Sequence, residues 1–396
     1  MCGINVLYTS KSIDRSNIIE KMNDSISHRG PDNSDSYSDD YISLGHTRLS
    51  IVDLSKKGNQ PMYSNDKRYI IVFNGEIYNF KELRSKLKYN FRTSTDTEVV
   101  LASYLKWGKE CLNHFNGMFA FAIWDKIEKE LFITRDRLGI KPLYYYFGES
   151  IFLFSSEIRS ILKSNLVKKK VCVEGLNEYL KFQTVNYPNT IVKDVKVLEP
   201  ASFIVFKNFK LINKSYYWHP KKNKSNVNNC SYDKLKTKVK EELTNSVKLR
   251  MFSDVDSGAF LSGGIDSSLI VSMMQAQSSS RIKTFTIGFN EDEFNEASNA
   301  RDIANYLKTD HSELYFSAND CLDILQEIPY MYNEPFSDPS ALPTALLSKM
   351  TKSSVSVALS GDGGDEIFGG YSRYNSIPKI YNSANDKRLS FFITPL

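Results

Sequence analysis

The chain has 396 residues, 41% hydrophobic and 24% charged, with a formal net charge of +5. That length favours two domains, the composition is that of a soluble globular protein, and the dispersed positive charge gives no sign of a nucleic-acid surface while suiting anionic substrates. The five cysteines (Cys2, Cys111, Cys172, Cys230, Cys321) contain no CxxC pair and the five histidines are scattered, which predicts reduced thiols of a cytoplasmic protein rather than disulfides or a zinc site. The start, MCGINVLYTS, has no basic segment followed by an apolar run. No later run reaches the ~20 residues that span a membrane, so neither export nor a membrane partner is expected.

Met1-Cys2-Gly3 opens the chain. Removal of Met1 would make Cys2 N-terminal, with a nucleophilic thiol and an α-amine of ordinary pKa near ~7.7–8.0 on one residue, a compact device for acyl transfer. A cysteine at position 2 does not carry that reading unaided. A strand (Gly3–Tyr8) and a polar helix (Ser16–Ser27) come next, then the turn signal His28-Arg29-Gly30-Pro31-Asp32. Alternation over Tyr41–Asp53 predicts a single strand, and a loop follows over Lys57–Met62. Arg68–Tyr78 alternates about Asn74-Gly75, which predicts a hairpin turning at that pair. Helices are expected over Phe80–Tyr89 and Asp96–Trp107, the second capped by Asp96. Met118–Trp124, Glu130–Thr134, Leu143–Tyr146 and Ile151–Ser155 are short, aromatic-rich strands. Two strand clusters with helices between them predict two sheets face to face with helices outside.

In this order, MCGI, HRGPD, GHTRLSIVDL, NQPM, VFNGEIYNF, STDTE, FNGMFAFAIWD and RDRLGIKPLYY resemble the glutaminase domain of class II glutamine amidotransferases, and more narrowly that of the glutamine-hydrolysing asparagine synthetases. The resemblance is dense over Cys2–Glu157. It implies an N-terminal-nucleophile hydrolase, a four-layer αββα sandwich, in which Cys2 attacks the side-chain amide of glutamine. The oxyanion so formed needs preorganised donors, and the family pattern assigns the Asn74 side-chain amide and the Gly75 N–H. Alone, Asn-Gly would be an ordinary turn. Arg48 suits the α-carboxylate of glutamine bidentately, Asp96 and Glu76 suit its ammonium, and Leu49, Ser50, Ile51 and Val52 lie where the family contacts glutamine through backbone groups. Without the resemblance these would be a strand-edge arginine, a helix cap and a surface carboxylate.

Val167–Val171 is lysine-rich and reads as solvated surface, Gly175–Leu180 as a short helix, and Asp194–Phe206 as strands closing a first domain over residues 2–206. Asn, Lys and Ser dominate 207–231, a linker by composition. The second domain, 232–396, opens with an amphipathic helix, Tyr232–Arg250, apolar at Leu235, Val239, Leu243 and Val247. A strand, Ser257–Leu261, then runs into Ser262-Gly263-Gly264-Ile265-Asp266-Ser267-Ser268 and a helix, Leu269–Met274, the arrangement for phosphate at a helix N-terminus. A Walker lysine is missing; SGGIDS instead resembles the pyrophosphate loop of ATP pyrophosphatases. Strand and helix continue to alternate over Ile282–Phe289, Asn295–Leu307, Ser312–Phe316, Asn319–Ile328, Ser340–Met350 and Val355–Leu359, predicting a doubly wound parallel sheet. The last strand delivers Ser360-Gly361-Asp362-Gly363-Gly364-Asp365-Glu366. A phosphate-friendly loop and an acidic loop at strand C-termini point to ATP with Mg²⁺, Asp266 and Asp365 being the candidate ligands.

The resemblance to asparagine synthetases extends through Asn333–Ser340. It implies Leu261 and Ile287 about the adenine or ribose, and Ser262, Gly263, Gly264, Asp266, Ser267, Ser360 and Gly361 at the nucleotide. Asp362 stands where some members have Glu, a residue linked to the adenylated intermediate, and Asp256-Ser257 where many show Pro-Val. The chemistry implied is glutamine hydrolysis through a thioester on Cys2, passage of ammonia along an internal channel, and attack on aspartate adenylated by ATP. The products would be asparagine, AMP and pyrophosphate. Members of the family continue beyond Tyr371 into a helical region with a phosphate-contacting lysine and part of the acceptor pocket; this sequence ends at Leu396, so a C-terminally truncated chain is expected. Two other readings stay open: transfer to another carboxylate, such as a sugar acid or peptide, and a relic acting only as a glutaminase or interaction partner. A homodimer is open as well.

Overall fold

A computed structural model describes residues 1–220, 230–289 and 296–377. The chain forms two compact units, one of Met1–Val239, Phe252–Val255 and Asp323–Leu342, the other of Lys240–Met251, Asp256–Leu322 and Pro343–Leu396.

From the N-terminus the first unit contains β1 (Gly3–Thr9), α1 (Arg15–Asp24), β2 (Asn33–Ser38), β3 (Ile42–Arg48), β4 (Met62–Tyr63), β5 (Tyr69–Ile77), α2 (Phe80–Lys86), α3 (Asp96–Trp107), β6 (Gly117–Asp125), β7 (Glu130–Arg135), β8 (Tyr144–Phe147), β9 (Ile151–Ser155), α4 (Ile158–Lys163), α5 (Val173–Phe182), β10 (Val195–Val197), β11 (Ser202–Lys207) and β12 (Lys210–Tyr216). Two six-stranded sheets result, ordered β10-β8-β9-β1-β3-β2 and β12-β11-β7-β6-β5-β4. Their period-two side chains divide cleanly between two faces. Ile4, Val6 and Tyr8 of β1 share a core with Ile70 and Val72 of β5 and with Ala120, Ala122 and Trp124 of β6, between the sheets. The intervening Leu7 faces the other way, into a core with Ile19 and Met22 of α1 and Ile158 and Ile161 of α4. Ile71, Phe73, Phe119, Phe121 and Ile123 likewise turn toward Leu83 of α2 and Val99 of α3. Helix, sheet, sheet, helix is the four-layer αββα sandwich that the resemblance implies.

Several local expectations are overturned. The strand expected over Tyr41–Asp53 is β3, which ends at Arg48, and an unexpected strand before it, β2, pairs with it from Asn33↔Arg48 to Ser38↔Ser43; β2 (NSDSYS) is a half-exposed edge strand with no apolar alternation to betray it. No hairpin turns at Asn74-Gly75. Strand β5 runs through both residues, pairing with β6 from Tyr69↔Asp125 to Ile77↔Gly117. Glycine is required there for closeness rather than for a turn, because a Cβ at position 75 would lie 2.3 Å from the Met118 carbonyl oxygen. Thr95, not Asp96, caps α3, its hydroxyl accepting the Glu98 N–H. Strand β12 falls inside the stretch expected to be a linker, and residues 221–229 of that stretch lie outside the described residues.

In chain order the remaining elements are α6 (Tyr232–Arg250), β13 (Ser257–Phe260), α7 (Ile265–Gln277), β14 (Lys283–Phe289), α8 (Ala297–Leu307), β15 (Asp310–Phe316), α9 (Ala318–Leu325), α10 (Ile328–Met331), α11 (Ala341–Thr351), β16 (Val357–Leu359) and α12 (Gly364–Phe368). The second unit is built on a parallel sheet ordered β15-β14-β13-β16. Its core joins Val247, Ala259, Leu261, Val271, Met274 and Ala300. Only the later part of the α6 stripe is buried, since Val239 is 42% exposed. Helix α7 starts four residues earlier than its apolar run suggests, and the acidic loop after β16 contains α12. Asn295, the expected start of α8, lies outside the described residues. No helix among the described residues is long and apolar enough to cross a membrane.

Trp124 is fully buried, and its indole N–H donates to Asp39 Oδ2 at 2.9 Å. Trp124→Phe, which loses mainly that bond, is expected to cost about 1–2 kcal/mol, and Trp124→Ala about 3–5 kcal/mol through the added cavity. Urea titration followed by near-ultraviolet circular dichroism checks the ranking.

Candidate active sites

Cys2 immediately precedes β1, which lies between β9 and β3 in its sheet, so its backbone has little freedom. The Leu49 N–H, just past the end of β3, donates to Cys2 Sγ at 3.4 Å. Arg29 Nε–H donates to the Cys2 carbonyl at 3.0 Å. The same guanidinium donates through Nη1 to Glu157 Oε1 at 3.0 Å, and that buried carboxylate also meets His28 Nε2 at 2.9 Å and Arg159 Nε at 2.7 Å. Burial pushes the Cys2 thiol above its ordinary pKa, against the hydrogen bond from Leu49, so deprotonation calls for a base. Met1 still precedes Cys2 in this chain; its α-amine is lowered to about 6 by burial, and its Sδ lies 3.0 Å from Lys141 Nζ. Burial and the nearby Arg29 charge bring Lys141 down to about 8, with Glu76 and Cys2 opposing.

Asn74 is 1% exposed, and its Nδ2 has no hydrogen-bond partner among the described residues. Strand β4 pairs with only Ile70 and Ile71, leaving the outer edge of β5 without a strand beyond Ile71. Along that edge the Phe73 N–H donates to Gln60 Oε1 at 2.6 Å and the Ile77 N–H to Asp96 Oδ2 at 2.9 Å. Backbone donors on one edge recur every second residue, so the Gly75 N–H faces the same way. Asp96 opens α3, and burial pushes its carboxyl up to about 6 against the bonds it accepts from Ile77 and Thr97.

Arg48 is buried at the end of β3. Its Nη1 donates to Ser55 O at 2.8 Å and Asn59 Oδ1 at 2.7 Å, and its Nη2 to Asp53 O. Three of its five N–H groups therefore shape the 53–59 loop, and two remain for a carboxylate. The Ser50 N–H donates to Asp32 Oδ2 at 2.7 Å, the Ile51 carbonyl accepts the Asp254 N–H at 3.0 Å, and Val52 packs against the core under α2 and α3. Arg48 and Asp96 both lie within electrostatic reach of Cys2. Arg29, Asp32, Gln60, Lys141 and Glu157 had no role in the sequence reading, although HRGPD, NQPM and RDRLGIKPLYY contain all but the last.

In the second unit, the Leu261 N–H donates to Phe285 O at 3.0 Å and the Thr286 hydroxyl donates to Leu261 O, pinning the loop after β13 to β14. Ser262 Oγ accepts the Gly264 N–H at 3.3 Å and lies 3.0 Å from Ser267 Oγ. Gly263 has φ +84°, and a Cβ there would sit 2.8 Å from Ala300 N, so glycine is needed on both counts. Gly264 gives α7 no side-chain cap, which leaves its first N–H groups available to an anion. Sheet order reverses between β13 and β16, and the crevice beyond their C-terminal ends is where such sheets take ligands. Both loops meet there: a Cβ at Gly361 would lie 2.7 Å from Ser267 N, and one at Gly364 would lie 2.5 Å from Asp266 Oδ2. Asp365 follows Gly364 directly. Ser360 Oγ donates to the exposed Asp362 carboxylate at 2.9 Å, and Ile287 is half-buried near the end of β14.

A family model described as a glutamine amidotransferase domain matches residues 1–218, and one described as asparagine synthase matches residues 238–390. The fold of the first unit is thus that of a glutamine amidotransferase domain. A Methanocaldococcus jannaschii protein, provisionally named glutamine-hydrolysing asparagine synthetase 2, is 42% identical over 94% of this chain and 76% of its own length. Glutamine-hydrolysing asparagine synthetase 1 of Bacillus subtilis is 38% identical over 94% of this chain and 59% of its own length. Asparagine synthetase B of Escherichia coli is 32% identical over 89% and 61%. The chain belongs to the glutamine-hydrolysing asparagine synthetase family. It spans 59% and 61% of the length of the Bacillus and Escherichia relatives.

His46, wholly buried on β3, has its Nε2 3.2 Å from Phe73 O, and burial lowers its imidazole to about 3. Its unfolded value is near ~6.5. Between those values the unfolded chain binds a proton that the folded chain refuses, so stability falls as pH drops through that window. The urea midpoint is expected to decrease from pH 7 to pH 5, and to decrease less in His46→Gln. Equal decreases would exclude His46 as a contributor.

Proposed function

We propose that the protein makes asparagine from aspartate and ATP, using ammonia released from glutamine at Cys2. The observation that carries the first half is the Asn74 amide, a buried donor without an acceptor beside an open strand edge. Leaving such a group unpaired costs about 1–3 kcal/mol, which an arriving carbonyl oxygen would remove. With Met1 removed, the Cys2 α-amine takes the thiol proton and the sulfur attacks the glutamine amide carbon. Asn74 Nδ2 and the Gly75 N–H stabilise the oxyanion, and collapse to the thioester expels ammonia as the protonated leaving group. Water then releases glutamate through a second oxyanion in the same place. Arg48 binds the glutamine α-carboxylate with its two remaining N–H groups. Asp96 and Glu76 bind the ammonium, and the 49–52 backbone lines the site.

In the second unit, Ser262, Gly263, Gly264 and Ser267 with the α7 N-terminus bind the phosphates of ATP. Leu261 and Ile287 flank its base or ribose, and Ser360 and Gly361 complete the nucleotide site. Among the described residues no group of three or more His, Cys, Asp or Glu could hold a metal. Asp266 and Asp365, on the two loops that touch, nevertheless fit Mg²⁺, which takes one or two carboxylates and completes its shell with phosphate oxygens and water. When bound it would neutralise phosphate charge. Asp362, at the position where some family members carry Glu, is assigned to the handling of the acyl-adenylate. A cytoplasmic setting and a homodimer belong to the same reading and rest on the family alone.

Pyrophosphate release from ATP tests the reading. Release that requires aspartate, with asparagine formed from either glutamine or ammonium, is expected. Release with another carboxylic acid alone would reassign the acceptor, and no release would leave a glutaminase. Cys2→Ala should abolish glutamine hydrolysis and spare ammonium-dependent synthesis.

The Asp96 carboxyl gives a pH signature. Its folded pKa of about 6 lies above its ordinary value, so it is neutral below that pH and ionised above it. The KM for glutamine should rise as pH falls through about 6, and should be high and flat in Asp96→Asn; steady-state glutaminase kinetics between pH 5 and 8 read this directly.

A further inference from the structure

The pairing Tyr63↔Ile70 and Met62↔Ile71, continued along the same register, sets Gln60 opposite Phe73. No strand exists there, and the Gln60 side chain supplies the pairing instead. Its Oε1 accepts the Phe73 N–H at 2.6 Å, and its Nε2 donates to Phe73 O at 3.3 Å. Nε2 also donates to Thr97 Oγ1 at 3.2 Å, one residue past Asp96 in the first turn of α3. Exchanging the amide oxygen and nitrogen would set donor against donor at the Phe73 N–H and acceptor against acceptor at its carbonyl, so one orientation satisfies the site. Gln60 is 4% exposed, which keeps water from standing in for it.

We infer that Gln60 is a positioning residue of the oxyanion site. By replacing the missing strand beside Phe73, it fixes the peptide that leads into Asn74 and Gly75 and ties it to the helix carrying Asp96. The inference rests on the glutaminase reading. Donors to an oxyanion act only if they are preset where charge develops, and small misplacements cost rate more than ground-state binding. Gln60 touches no reacting atom, so its removal should slow turnover while leaving the thiol and the grip on glutamine largely intact.

The test compares the parent chain with Gln60→Met, which keeps length and loses all three bonds. Glutamate γ-semialdehyde, in which an aldehyde replaces the glutamine amide, serves as a second probe. The Cys2 sulfur adds to its carbonyl carbon, the C=O π bond opens, and the thiol proton ends on the new hydroxyl, which occupies the oxyanion position. Gln60→Met is expected to lower kcat for glutamine hydrolysis about tenfold and to weaken semialdehyde inhibition by about the same factor. The KM for glutamine and the rate of Cys2 alkylation by iodoacetamide should stay within about twofold, since neither depends on the oxyanion donors. A kcat within about twofold of the parent overturns the inference, as does a parallel loss of kcat, KM and alkylation, which would mean a general disturbance. Should Gln60→Met fail to fold, Thr97→Val cuts only the tie to α3. It is expected to lower kcat about two- to fivefold, and an unchanged kcat overturns the inference. Cys2→Ala run alongside separates the two ideas: hydrolysis surviving in it removes the glutaminase reading and this inference together, whereas a dead Cys2→Ala beside an unaffected Gln60→Met removes the Gln60 inference alone.

Discussion

The glutaminase half depends on the register of β1. Ile4, Val6 and Tyr8 must enter the core between the two sheets while Leu7 enters the core under α1 and α4. A slip of one residue would exchange these faces across the whole strand, which the buried neighbours on both sides do not permit. Cys2 is the residue immediately before that strand, so its place against the Leu49 N–H follows from packing some way up the chain. Gly3 shows how tight the fit is: a Cβ there would lie 2.6 Å from both Ile26 Cδ1 and Thr47 Oγ1. Cys2 is aimed by the core, and Arg29 on its carbonyl only completes the hold.

Strand β5 brings the opposing half of the site by a different device. Most of its length is ladder, yet the part that matters chemically is where the ladder stops on one side. An edge left bare would waste backbone donors and invite pairing with another chain. Here the edge is occupied residue by residue, by the Gln60 amide at Phe73 and the Asp96 carboxylate at Ile77, with Gly75 between them. Sheet regularity thus sets the spacing of the groups to which the proposed chemistry is assigned.

How far this was legible from the sequence depended on whether a feature is local. The alternation of β1, β6 and β7, the glycines after β13 and β16, and the order of strand and helix in the second unit are readable because each is written in consecutive residues. Strand β2 was not, since a polar edge strand owes its conformation to the backbone of β3. Asn74-Gly75 misled because the dipeptide that best signals a turn also suits a strand pressed against its neighbour's backbone, and only the partner strand distinguishes the two. Arg48 was identified as a candidate ligand, yet three of its donors serve the 53–59 loop, which no spacing rule reveals. Gln60 lies in a stretch that was noticed, NQPM, but its role appears only when the strand it substitutes for is seen to be missing.

The same region gathers groups that folding alone would not favour. Asn74 Nδ2, Arg29 Nη2 and His46 Nδ1 are buried without hydrogen-bond partners among the described residues, and burial moves the Cys2 thiol, the Asp96 carboxyl and the Lys141 amine away from their ordinary pKa values. Each unpaired buried group opposes stability by about 1–3 kcal/mol, and the cores between and outside the two sheets offset them. Unpaired donors and displaced titrations around Cys2 and Asn74 suit a preorganised site, because donors already free and already desolvated need no rearrangement when charge develops beside them. The second unit is arranged otherwise. Its loops after β13 and β16 satisfy themselves through Ser262, Ser267 and Ser360, and its carboxylates stay near water, as suits a site whose ligand brings its own charge and most of its own oxygens. In the proposed function one unit waits with unmet donors for a neutral amide and the other with exposed glycine loops for a polyanion, a difference in electrostatic preparation that matches the two substrates proposed.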